Sequence, residues 1–130
     1  MDNKTNYLED ALLNAVLRNI SFTSPATVYV GLFTADPGEA GSLAAEVAAG
    51  EYTRMAVTFG APSGGTCANT GIITFPTAVG SWGIITYGAI VDSALPGGNV
   101  LYAGALAAPK TVDPGDTVSF AIGALTVSET

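Results

Sequence analysis

Any chemistry this chain performs has to come from serine, threonine, acidic and aromatic residues. It contains no histidine and a single cysteine. Histidine is the commonest general base and metal ligand, and the usual proton switch near neutral pH. Without it, the serines cannot form a serine–histidine–acid triad. A serine–lysine pair would have to use Lys4 or Lys110, and neither has a suggestive neighbour in sequence. Cys67 has no partner for an internal disulfide, and its Gly/Ser/Thr-rich surroundings hold no basic residue to favour the thiolate. Ser63-Gly64-Gly65-Thr66 is the nearest approach to a phosphate-cradling loop, but it lacks the lysine and no helix follows it. Asp113 and Asp116 flank Pro114-Gly115 and could touch a cation, yet a calcium loop needs more oxygen ligands at closer spacing. Asp36, Glu39 and Glu46 share one acidic stretch, with nothing to fix two of them as an acid/base pair. Trp82, Tyr87 and Tyr102 could line a sugar platform, although aromatics on strands more often serve cores and interfaces. No catalytic, cofactor-binding or metal-binding residues are expected, and the residues point away from an enzyme.

Composition points to association instead. The 130 residues carry a net charge of −7, with 48% apolar and only 12% charged residues. Globular domains usually carry about 25% charged residues. Too little charge is present to cover the surface, so small and apolar side chains must be exposed, which favours contact with other proteins. The four basic residues, Lys4, Arg18, Arg54 and Lys110, are scattered rather than clustered, so nucleic acid is not an expected partner. The N-terminus does not read as a signal peptide and no run is long enough for a transmembrane helix, so no membrane is expected as a partner either. The length fits a single domain, 1–130.

The elements that would position these surfaces are one helix and a set of short strands. Asn6 to Ile20 has helical periodicity, with Asn6 and Glu9 spaced as a capping box and Asp10 set to favour the helix dipole. Leu8, Ala11, Leu12, Ala15 and Val16 share a face that Leu13, Leu17 and Ile20 widen. The apolar arc then covers roughly two-thirds of the circumference, against a little over ~100° for an ordinary surface helix. Only Asp10, Asn14 and Arg18 form a polar stripe. The surplus predicts a helix that contacts its own sheet on one side and another molecule on the other. Leu8, Leu12, Leu13, Val16 and Leu17, with Leu43 and Val47 from an alanine-rich loop over Ala40–Gly50, are the expected oligomer or shell contacts.

The remainder, about 26–128, reads as β-structure. Thr27–Thr34 is apolar on both faces and predicts a central strand covered on both sides. Glu51–Phe59 alternates, with Met55, Val57 and Phe59 inward and Tyr52, Arg54, Ala56 and Thr58 outward. Ile72–Phe75, Trp82–Val91, Val100–Leu106, Thr117–Phe120 and Ala124–Val127 follow, separated by Gly/Pro/Asn/Asp turns such as Asp113-Pro114-Gly115. Gly83 and Gly88 predict a bulge or a close backbone approach. About seven or eight short strands with one N-terminal amphipathic helix imply a mainly β fold, an antiparallel sandwich or partly open barrel.

Several stretches together resemble a known family. They are Tyr7-Leu8-Glu9-x-Ala11-Leu12-Leu13-Asn14, Val28-Tyr29-Val30-Gly31-Leu32-Phe33-Thr34-x-Asp36-Pro37 and Tyr52-x-Arg54-x-Ala56-Val57-Thr58-Phe59-x-Ala61-Pro62. Thr74-Phe75-Pro76, Trp82-Gly83, Leu101-Tyr102-x-Gly104-Ala105-Leu106 and Lys110-Thr111-Val112 follow in the same order. In this order the chain resembles small tailed-bacteriophage virion proteins described as tail-fibre-like. The resemblance implies a virion structural protein assembled in the cytoplasm of an infected bacterium. Together with the over-apolar helix and the missing shaft repeat, it leads to the expectation of a capsid decoration or cement protein. That protein would be a homo-oligomer, a trimer first, contacting itself and the major capsid protein or tail proteins. A tail or baseplate fibre-like component is the alternative, followed by a carbohydrate-binding attachment module.

Overall fold

Alternation along Val28–Phe33 sets the architecture. Val30 and Leu32 turn to one face and Phe33 to the other, and all three are fully buried. The computed structural model describes residues 1 and 3–129. In chain order the elements are β1 (Asn3–Lys4), α1 (Asn6–Leu17), β2 (Val28–Phe33), β3 (Met55–Val57), β4 (Thr66–Ala68), β5 (Ile73–Thr74), β6 (Gly83–Val91), β7 (Val100–Val112), β8 (Ser119–Phe120) and β9 (Thr126–Ser128). The main sheet has the order β1-β7-β6-β2-β3, and every pairing in it is antiparallel. Two ribbons, β4–β9 and β5–β8, lie outside it. The fold is mainly β, and the sheet does not close on itself.

The main core joins Val30, Leu32 and Ile90 of the sheet to Ile73 and Phe75, Trp82, Val118 and Leu125. A smaller cluster of Phe33, Ala89, Val91, Val100 and Ala103 forms separately from it. Trp82 is only 5% exposed; its ring meets Tyr52 edge-on at 5.5 Å, and its Nε1 donates to Glu51 Oε1 at 2.8 Å. That burial removes Trp82 from any sugar-binding platform.

β7 runs on to Val112, past the end expected at Leu106. Ile85 pairs with Lys110 while Tyr87 pairs with Ala105, so Leu106–Pro109 bulges away from β6. Pro109 has no N–H to offer a ladder, and the bulge is where none is needed. Gly88 and Gly104 face each other across β6 and β7. A Cβ on Gly104 would lie 2.9 Å from Met1 Cα, and one on Gly88 would lie 3.0 Å from Met1 Cε. The two glycines therefore form a notch filled by Met1. Met1 N donates to Thr126 O at 2.6 Å and Met1 O accepts from Ser128 N at 2.8 Å, which holds Met1 along β9 like one residue of a further strand.

The helix departs from expectation at both ends. The residue before it, Thr5, occupies the capping position, but its Oγ1 donates instead to Val100 O at 2.5 Å. Asn6 is the first helical residue and its N–H goes to Glu39 O, so the Asn6–Glu9 capping box does not form. Asp10 lies beyond the first turn, where Glu9 is the acidic residue. The helix stops at Leu17 rather than Ile20 because Asn19 adopts a left-handed conformation (φ 54°) and Ile20 N–H turns back to Asn14 O.

The Ala40–Gly50 segment contains turns but no helical turn. Thr34 N–H reaches Ala45 O and Val47 N–H reaches Leu32 O, so this segment continues the edge of β2 where β3 leaves off. Val47 is thereby buried rather than presented to a partner.

Candidate interaction surface

α1 is attached along a narrow face. Leu8 is its one buried residue (4% exposed), and Leu12 is half-buried against the main core. Val16, Leu13 and Leu17 are 77%, 57% and 74% exposed. At ~100° per residue these three span an arc of about 100° beside the attached face. Ile20, just past the helix, is also exposed. Three long aliphatic side chains in a row on an otherwise well-packed domain form an apolar ridge that no other part of the described chain covers. Asp10 borders it, and Arg18 on the polar flank donates to Asn14 Oδ1 at 3.0 Å.

The residues expected at an interface therefore divide. Leu13, Val16 and Leu17 lie together on the exposed ridge. Leu12 sits at its root. Leu8 and Val47 belong to the chain's own core and cannot reach a neighbour. Leu43 is half-buried against the Phe33 cluster, apart from the ridge.

A second feature was misread from sequence. The alternation of Glu51–Phe59 turns Arg54 outward, but Arg54 is 6% exposed. Its Nε and Nη2 grip Glu46 Oε2 and Oε1 at 2.8 and 2.7 Å, and its Nη1 donates to the carbonyls of Ser93, Leu95 and Gly97 at 2.7–2.8 Å. Tyr52 Oη donates to Glu46 Oε2 at 2.7 Å and accepts Leu32 N–H at 3.0 Å. Burial, followed by its bond to Glu46, raises the Tyr52 hydroxyl well above its ordinary pKa. The bond to Glu46 likewise raises the Arg54 guanidinium, so it stays charged at any working pH. The hydrogen bonds of this cluster tie the 43–49 and 93–97 segments to β2 and to the residue preceding β3. The one available sequence signal was a lone arginine eight residues after the only glutamate of an alanine-rich stretch.

Three further polar groups act structurally. Asn69, 2% exposed, accepts Leu125 N–H and donates to Gly71 O and Ala121 O, which joins the turns that present the exposed Ile72 and Ile122. Glu51 accepts from Trp82 Nε1 and from Val79 N–H, and these bonds hold its carboxyl down at a pKa of about 2. Asp116 Oδ2 accepts Asp113 N–H, and Asp116 N–H donates to Asp113 O, across a tight turn. Among the described residues no group of three or more Cys, Asp or Glu is arranged to hold a metal ion. No described helix is long and apolar enough to cross a membrane.

No curated protein matches the chain. A family model described as podophage GP4 fiber I protein gp80 matches residues 3–128, leaving out only two residues at each end. A match of that extent, over a chain whose exposed chemistry is apolar contact, makes it a member of the podophage GP4 fiber I protein gp80 family and hence a bacteriophage virion structural protein.

Proposed function

We propose that the chain is a non-enzymatic subunit of the phage tail-fibre apparatus, and that copies of it associate through the α1 ridge. The ridge of Leu13, Val16 and Leu17 is the observation that carries the reading. Apolar area removed from water contributes roughly 25 cal/mol per Å², so these side chains favour contact wherever a complementary surface exists. The family's fibre description supports the tail over the head. A standard interface uses ~20–30 residues per partner, so three or four side chains make one contact among several. Such a contact works in an assembly that holds copies close together, where linked contacts reinforce one another; a three-fold arrangement is the simplest closed fibre of this kind.

Two measurements test the proposal. Immunogold labelling of intact virions should place the protein on the tail in few copies. Sedimentation equilibrium of the purified protein should show an assembly that Leu13→Asp dissolves and Asn14→Asp leaves intact. A monomer at high micromolar concentration, or equal effects of the two substitutions, would remove the ridge from the interface. The described residues contain no shaft-like repeat, which favours a second reading, a decoration protein on the head. Label covering the head in hundreds of copies would establish that reading instead.

A further inference from the structure

Beside the Met1 notch lies an open groove of about 480 Å³. Ile85 lies at its floor, Leu106 and Ala107 line one wall, and Phe120 and Leu125 line the other. The β7 wall is unusual. Along Leu106–Pro109 the strand has bulged off β6, and no other described strand pairs with it there, since β1 reaches only Tyr102 and Ala103. On the opposite side, β9 pairs with β4 along one edge, and among the described residues only Met1 occupies the other. The groove thus offers unpaired β7 backbone groups on one side and an apolar floor beside them, while across it Leu125 N–H and C=O are already held by Asn69. Exposed strand edges with pockets for alternate side chains are how β-sheets accept an added peptide strand.

We infer that this groove accepts an extended segment of another virion protein as an added strand. The structure already shows that mode at the groove's closed end, where Met1 bonds to β9 through both its backbone N and its O. The segment continues that contact along the groove. Pro109 ends the usable β7 edge, so the β7 wall from Ala105 to Ala108 accommodates about four extended residues at ~3.3 Å each. Lys110 carries the only charged side chain lining the groove, and the Met1 α-ammonium at the closed end adds a second positive charge, in a chain of net charge −7. The segment therefore carries a carboxylate at the Lys110 end and small or β-branched side chains facing the floor. The inference rests on the reading of the chain as a virion component, but not on α1.

A titration of the whole ¹⁵N-labelled protein with a blocked pentapeptide, Thr-Val-Thr-Val-Glu, tests the groove itself. Saturable shifts confined to Ala105–Ala108, Lys110, Ser119, Phe120 and Ala124–Thr126 are expected, with amide exchange at Ala105–Ala108 slowed several-fold. Replacing the central threonine of the peptide by proline should abolish binding. Lys110→Glu should weaken binding about two- to five-fold, the range of an exposed ion pair. Ala124→Trp, a change at an exposed rim position, should block the groove with unfolding unchanged. No saturation at millimolar peptide, equal binding of the proline peptide, or shifts that map to α1 would overturn the inference. Because α1 takes no part, a parent chain that stays monomeric yet binds the peptide would refute the α1 proposal alone, and an assembly that Leu13→Asp dissolves but that binds no peptide would refute this one alone.

Discussion

Removing the Arg54 side chain should be the most damaging single truncation of a polar residue in the domain. Its side chain is 3% exposed and that of Glu46 is 11% exposed, so Arg54→Ala leaves a carboxylate in a site built for a guanidinium. Breaking a buried pair by deleting one partner costs about 3–5 kcal/mol. The three carbonyls that Nη1 also holds belong to Ser93, Leu95 and Gly97, and the latter two are in an exposed segment where water can replace the arginine. That places the expected loss in the lower half of the range. At about 3–4 °C per kcal/mol for a chain of this size, the melting midpoint should fall by roughly 10–15 °C. Arg54→Lys keeps the charge but not the planar fork, and should recover less than half of the loss. Urea unfolding followed by tryptophan fluorescence is the assay, because Trp82 packs against Tyr52 within the same network. The double substitution Arg54→Ala with Glu46→Ala should cost less than the sum of the single changes by at least ~1.5 kcal/mol. A single-variant loss below about 1 kcal/mol at unchanged m-value, or additivity within ~0.5 kcal/mol, would refute the view that this pair fastens the two segments to β2.

Glu51 has a folded pKa of about 2 against an ordinary 4.5, so its bonds to Trp82 and Val79 contribute stability above pH 4.5 that is lost as pH falls toward 2. The melting midpoint of Glu51→Gln should therefore vary less across that window than that of the parent chain. Gly104→Ala would drive a Cβ into Met1 Cα and should destabilise by about 1–3 kcal/mol, with the NMR changes centred on Met1 and β9. Asn69→Ala leaves Leu125 N–H and Gly71 O without their partner and Ala121 O with only its bond from Ala124 N–H, and should cost about 1–3 kcal/mol and open the 121–124 turn to limited proteolysis. Unchanged cleavage there would mean that other bonds hold the turn.

Sequence patterning located most of the sheet. Val28–Phe33 reads as a strand covered on both sides because each of its faces is apolar, and that follows directly from a period of two. The strands expected at Trp82–Val91 and Val100–Leu106, separated by the Leu95–Asn99 turn, are present as β6 and the first part of β7. Two features were not legible. Arg54 falls on the outward phase of its strand, and only the return of the Ala40–Gly50 segment along β2 encloses it. That return depends on backbone bonds from Thr34 and Val47, which leave no side-chain pattern. The strand expected to end at Leu106 continues to Val112, because a bulge absorbs Pro109. The capping residues were misassigned because Thr5 uses its hydroxyl to hold β7, a contact 95 residues away in sequence. Of the expected contact residues, those on one side of α1 form the exposed ridge, while Leu8 shows that periodicity marks apolar faces without saying which neighbour each face meets.

The mooring of α1 has a mechanical corollary. Its fully buried fastenings, the Thr5 hydroxyl just before the helix and the Leu8 side chain in its first turn, lie at the N-terminal end, with Leu12 half-buried a turn further on. Its last turn contributes no buried side chain. Partial unwinding from the Asn19 end would break few contacts, as is typical of the least stable parts of a fold. The last turn, between Leu12 and the Phe22 side chain that packs on the core, can therefore unwind while the sheet stays unchanged, so that identical subunits can meet unequal spacings in whatever lattice receives them.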